Sequence, residues 1–223
     1  MTQSELDTLR HRAEAYLKED PRVRRWRIRT DGAIALEIIV QGAVPPQDRF
    51  QIVEALGKPL YRIEREEGAL DALLDDLVVV RVDVDGIQPE LPPESPDEHL
   101  AQLNHRFWVD VWVTYGFLNR GRTWKAIKQL ADLRQIVFDL AHMVHDPSLK
   151  DEEVVPEELR GALARTSPAP EALAIGQALL YTIFVYRRVR QDAEHEFKAA
   201  FSEETEQRLI GHLSEKFGAI APA

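Results

Sequence analysis

No cysteine occurs anywhere in the 223 residues, which removes disulfides, thiolate metal ligands and cysteine nucleophiles together. Long apolar runs are missing as well. The longest, residues 172–186, contains Gly176 and Gln177 and falls short of the roughly 20 residues that a membrane-spanning helix needs. Positive charge is the third scarcity: 28 Lys and Arg stand against 38 Asp and Glu, a net charge of −10. General coating of nucleic acid is therefore not expected, although one local basic patch is compatible with that balance. The opening MTQSELDTLRHRAEAYLKED is charged and amphipathic, unlike a secretory signal. A cytoplasmic globular protein with no membrane partner is the expectation, long enough for one large domain or two small ones.

What is present divides into two styles of patterning. Residues 4–19 read as a helix, with Ser4 as its cap. Two extended runs follow, residues 23–29 and 33–41, with Thr30-Asp31-Gly32 between them as a hairpin signal. Residues 47–56 read as a short helix ending at Gly57, residues 59–63 as a strand and residues 66–75 as a helix. Residues 77–85 are the clearest strand: Val78, Val80, Val82 and Val84 share one face, and Arg81, Asp83 and Asp85 share the other. Four prolines in residues 86–98 mark a boundary. Everything beyond it carries helical periodicity, with no repeat and no low-complexity tract. The expected layout is α+β: a small mixed-sheet domain over residues 1–90, then a C-terminal helical bundle over residues 96–218.

Residues 104–143 read NHRFWVDVWVTYGFLNRGRTWKAIKQLADLRQIVFDLAHM. Leu103, Phe107, Val111, Thr114 and Leu118 form one stripe of a first helix, with Trp108, Trp112 and Tyr115 beside it, so this helix is expected to be buried on more than one side. After an Asn119-Arg120-Gly121 turn, a second helix carries Trp124, Ile127, Leu130, Ala131, Val137, Phe138, Leu140 and Ala141 at helical spacing. Phe-Trp, then Tyr, then Arg ahead of a second amphipathic helix resembles the helical domain of aminoglycoside 6-adenylyltransferases, members of the nucleotidyltransferase superfamily. The resemblance implies a nucleotidyltransferase-like sheet domain ahead of the bundle, with a ligand cleft between them. It also implies NMP transfer from a nucleoside triphosphate, with Mg²⁺, to a hydroxyl of a small aminoglycoside-like molecule.

That family's site combines a Gly-Ser turn, an Asp-x-Asp pair on the next strand and a further carboxylate on a later strand. Here the Gly-Ser turn is absent, and with it the backbone amides that cradle a triphosphate. Ala35-Leu36-Glu37 stands where the Asp-x-Asp pair belongs, so Glu37, Asp83 and Asp85 are the metal-binding candidates. Arg106 replaces the family's Glu ahead of Phe-Trp, which makes Asp110, one turn on, the substitute base. Trp108, Trp112 and Tyr115 are candidates for stacking a substrate ring, against a plain role as bundle core. The reading is a nucleotidyltransferase-like protein with diverged or lost catalysis, using Mg²⁺ and a nucleoside triphosphate if active. The alternative is a non-catalytic nucleotide- or ligand-binding or regulatory protein of the same fold. Plainer roles compete throughout: Glu37 as the solvent face of a strand, Asp83 and Asp85 as the opening of an Asp-Gly turn.

Three other constellations bear chemistry. Arg190 and His195 form an R-x4-H element resembling the motif of HEPN ribonucleases, where Arg and His serve phosphate binding and proton transfer in RNA cleavage. Asp139, His142, His145 and Asp146 lie at helical spacing suited to metal ligands, or to a helix C-terminus that favours His. Arg22, Arg24, Arg25, Arg27 and Arg29 surround Trp26, either receiving a phosphate or deterring pairing at a sheet edge.

Overall fold

In a computed structural model describing residues 3–29, 34–41, 44–64, 69–84, 95–145, 148–197 and 203–218, Leu9, Ala13 and Leu17 recur every fourth residue along α1 (Gln3–Leu17) and are buried together. That spacing keeps them on one helical face. They pack with Ile52, Val53 and Leu56 of α2 (Pro46–Leu56) onto one face of a five-stranded sheet. The chain divides into two units, Met1–Pro92 and Pro93–Ala223, and the sheet belongs to the first.

The strands are β1 (Val23–Ile28), β2 (Leu36–Val40), β3 (Pro59–Glu64), β4 (Leu70–Leu74) and β5 (Val79–Val84). Their order across the sheet is β1-β2-β5-β4-β3. The central pair, β2 and β5, is parallel, and the other pairings are antiparallel. Leu36, Ile38 and Val40 alternate toward the helices, as do Val80 and Val82, so Glu37, Ile39, Arg81 and Asp83 stand on the opposite face. The turn residues 30–33 lie outside the described residues.

One sequence expectation fails here. Residues 66–75 do not form a helix: Leu70–Leu74 is β4, and all five of its residues are buried. Leu and Ala favour helix intrinsically, and a fully buried run has no alternation to reveal a strand. Pairing with β3 and β5 overrides that propensity. Between β4 and β5 the chain turns with Leu77 in the left-handed region, φ 64°, an uncommon conformation for a branched side chain.

The second unit is helical: α3 (Pro96–Asn119), α4 (Thr123–Val144), α5 (Asp151–Val154), α6 (Glu157–Ala164), α7 (Ala172–Phe197) and α8 (Glu203–Phe217). Ser95 caps α3 by accepting from the Glu98 N–H. Phe107 through Tyr115 are all buried, so α3 is enclosed on every side over these two and a half turns, as its aromatic breadth predicts. Gly121 makes the α3–α4 corner with φ 66°, a conformation that suits glycine. The expected core stripe of α4 is only partly right: Leu130, Val137, Leu140 and Ala141 are buried, whereas Trp124 is 73% exposed. No helix among the described residues is long and apolar enough to cross a membrane.

Candidate functional site

The face of the sheet turned away from α1 and α2 carries an ordered row of charge. In register across four strands stand Arg27 of β1, Glu37 of β2, Arg81 of β5 and Asp71 of β4. Each neighbour has the opposite sign, the favourable arrangement for residues directly across a ladder. Arg27 Nε donates to Glu37 Oε2, and Arg29 Nη1 lies 3.6 Å from the same oxygen. Arg81 grips Asp71 in a two-pronged pair, Nε to Oδ1 at 2.6 Å and Nη2 to Oδ2 at 2.8 Å. Asp71 itself is wholly out of solvent. This fork geometry is the strong form of an Arg–carboxylate bond.

Asp83 completes the group two residues beyond Arg81. Burial pushes its carboxyl up to about 6; Arg81 opposes the shift, and the Glu37 and Asp71 charges add to it. Burial also raises Glu37, but the hydrogen bond from Arg27, the Arg27 and Arg29 charges and the bond shared with Asp83 outweigh it and hold Glu37 below its ordinary range. The two shifts belong to one coupled pair, in which Asp83 is the member that takes up the proton below about pH 6.

Two of the three metal-binding candidates are thus brought together on one face, and Asp85 lies outside the described residues. Their chemistry does not fit Mg²⁺. A Mg²⁺ site wants several anionic oxygens free to approach at about 2.1 Å. Here Glu37 is engaged by two guanidinium groups and Asp71 by a third. Among the described residues no three His, Asp or Glu side chains converge as a metal cage. Asp71 was not legible as a member of this face because its segment reads as helix. Once the strand is recognised, its register opposite Arg81 makes the assignment.

The remaining candidates occupy the helical unit. Asp110 is buried, with Arg106 Nε 3.8 Å from its Oδ2; as a base it would have to act from inside the bundle, so the substitute role does not suit it. The three aromatics sit in the same interior. Trp108 meets Phe107 edge-on at 5.5 Å between ring centroids, and Phe107 stacks on Tyr186 of α7 at 3.6 Å. Trp112 and Tyr115 meet at 4.6 Å and gather His212 of α8, whose Nε2 lies 2.8 Å from the Tyr115 hydroxyl. Each finds its ring partner within the bundle, which is how helical core aromatics pack.

Arg190 and His195 are separated by burial. Arg190 points into the bundle, where its Nη1 donates to Glu206 and to Asn104 Oδ1 at 3.1 Å, while His195 is exposed. A phosphate cannot reach both. The histidine constellation also resolves into local pairs, His142 with Asp151 at 3.1 Å and His145 with Asp192 at 4.0 Å; Asp146 lies outside the described residues. In the arginine run, Arg22 is held by Asp20 and Gln51, and Arg27 and Arg29 serve Glu37. β1 is an edge strand, as the edge-protecting reading requires.

No protein-family model matches the chain, and no curated protein matches it. Among solved structures the chain is similar to the crystal structure of an aminoglycoside 6-adenyltransferase from Bacillus subtilis, with 10% identity over 96% of this chain and 98% of that one and a TM-score of 0.46. That likeness is too loose to carry any residue's role across.

Proposed function

We propose that this protein is a non-catalytic ligand-binding or regulatory protein built on a nucleotidyltransferase-like plan, in which metal-dependent NMP transfer to an aminoglycoside-like hydroxyl has been lost. One observation carries the reading: the Glu37 carboxylate is taken up by Arg27 and Arg29. Metal-assisted phosphoryl chemistry needs ionised carboxylates to hold a divalent cation against the phosphates, and positioning with charge neutralisation supplies most of the catalysis. Recruiting Mg²⁺ here would mean breaking the ion pairs of Glu37 with Arg27 and Arg29 and of Asp71 with Arg81 before any nucleotide bound. The absent Gly-Ser turn supports the same conclusion from the sequence, because the backbone amides that cradle a triphosphate go with it.

The test is a nucleotide titration followed by tryptophan fluorescence with and without Mg²⁺. Binding that is absent, or is indifferent to Mg²⁺, is the expected outcome. Saturable binding that appears only with Mg²⁺ would restore the transferase reading.

A further inference from the structure

Trp124 is the most exposed large apolar side chain among the described residues, at 73%. It stands in the first turn of α4, amid a run of positive charge in an acidic protein. Between Asp110 and Asp132 the chain carries Arg120, Arg122, Lys125 and Lys128 and no acidic residue at all. Arg122, Lys125 and Lys128 are exposed, and none makes an ion pair with any described residue. Lys125 contacts only the Phe117 ring, 5.8 Å from its centroid. On the helix Lys128 follows Trp124 by four residues and Lys125 by three, so the three side chains are neighbours on the surface. Arg122 lies just ahead, at the N-cap position of α4.

We propose that Trp124, Arg122, Lys125 and Lys128 form a docking surface for single-stranded nucleic acid. An exposed indole offers a base a flat π surface, and the cations near it offer the flanking phosphates their counter-charge. The partner must be anionic to match three unpaired cations, and aromatic to use the indole. An acidic peptide would leave the ring unused. An anionic membrane would need an apolar face to insert, but the apolar face of α4 (Ala126, Leu130, Leu133, Val137) is already buried in the bundle, leaving Trp124 alone. The net charge of −10 does not forbid a local contact, because at physiological salt charges beyond about 8 Å are largely screened. The surface is independent of the sheet-face reading above and survives if that reading fails.

The experiment is fluorescence anisotropy of a short fluorescein-labelled oligouridine with the full chain, over a range of salt concentrations. Binding is expected at low salt, with a slope of log affinity against log salt near about −2 for three phosphate contacts at about −0.7 each. Trp124→Ala should weaken it about tenfold, as expected for one lost stacking partner, and Lys125→Glu with Lys128→Glu should abolish it. These positions are exposed, so the variants should keep the wild-type melting temperature. No anisotropy change at low salt would overturn the proposal, as would binding unaffected by Trp124→Ala. Preference for phosphatidylserine vesicles over the oligonucleotide would overturn it in favour of a membrane surface.

Discussion

Arg190 of α7 donates to the carboxylate of Glu206 of α8 with both side chains out of solvent, at 2% and 0% exposure. Around this pair Asn104 Oδ1 accepts from Arg190 and from the Tyr186 hydroxyl, and Glu194 lies 3.0 Å from Arg190 Nε. A residue that resembles half of an RNase motif is therefore the polar centre of the bundle, joining α3, α7 and α8. Burial acts to lower the Arg190 pKa, but the Glu206 hydrogen bond and charge outweigh it.

Removing one partner takes away the main counter-ion of a buried charge and leaves it only a more exposed one, Glu194 for Arg190 or Arg187 for Glu206. Arg190→Ala or Glu206→Ala should each destabilise the protein by about 3–5 kcal/mol. The paired replacement Arg190→Met with Glu206→Leu should sit closer to wild type, since well-packed apolar substitutes for a buried ion pair are often tolerated. Urea denaturation of the three variants checks this. Equal losses in all of them would mean that packing, rather than charge pairing, dominates.

Gly176 sets how closely α8 approaches α7. A Cβ there would lie 2.3 Å from Phe217 Cδ1 and 2.4 Å from its Cγ, so the ring must leave its seat. Gly176→Ala should cost about 1–3 kcal/mol as overpacking, despite alanine's better helix propensity. Adding Phe217→Ala should remove the clash and recover part of the loss from Gly176→Ala. A stabilised Gly176→Ala in thermal melts would contradict this placement of α8.

The shifted carboxyl on the sheet gives a pH dependence of definite sign. In the folded protein Asp83 holds its proton to about pH 6, whereas unfolded Asp titrates near about 3.9. Between those values the folded state binds more protons, so this group makes stability fall as pH rises and contributes no further change above about pH 6. Glu37 acts oppositely: its depressed value gives stability that is present above its unfolded pKa and lost as pH falls through the folded one. Asp83→Asn removes the ionisation while retaining a donor toward Glu37. It should therefore be more stable than wild type at pH 7.5, with the difference closing near pH 4. A variant destabilised equally at both pH values would show that Asp83 is not protonated in the fold.

Much of this architecture can be read from residues. The Asn119-Arg120-Gly121 corner and the long apolar stripe announce the α3–α4 hairpin, and the alternation of Val80, Arg81, Val82 and Asp83 announces a strand with one charged face. What could not be read was register. Nothing in the local sequence says that Arg27, Glu37, Arg81 and Asp71 fall into one row, because that depends on the order in which four strands pair. β4 was hidden for a related reason: a run of five buried residues rich in Leu has no period of its own. Trp124 misled in the other direction. It occupies a helical apolar position, yet at the start of α4 it faces solvent.

The Pro-rich segment between the two units offers a further check on their separateness. Limited proteolysis with a protease of broad specificity is expected to cut first within residues 86–98, because segments between packed units are the usual sites of nicking. Preferred cutting inside residues 104–140, the packed helices α3 and α4, would contradict the division.

The most direct measurement is transfer of labelled AMP from Mg·ATP to streptomycin-type and kanamycin-type aminoglycosides. With Glu37 held by Arg27 and Arg29 and Asp71 held by Arg81, transfer should not exceed the no-enzyme background. Incorporation above that level which disappears in Asp83→Ala would contradict the account, showing that the carboxylates release their arginines and bind metal after all.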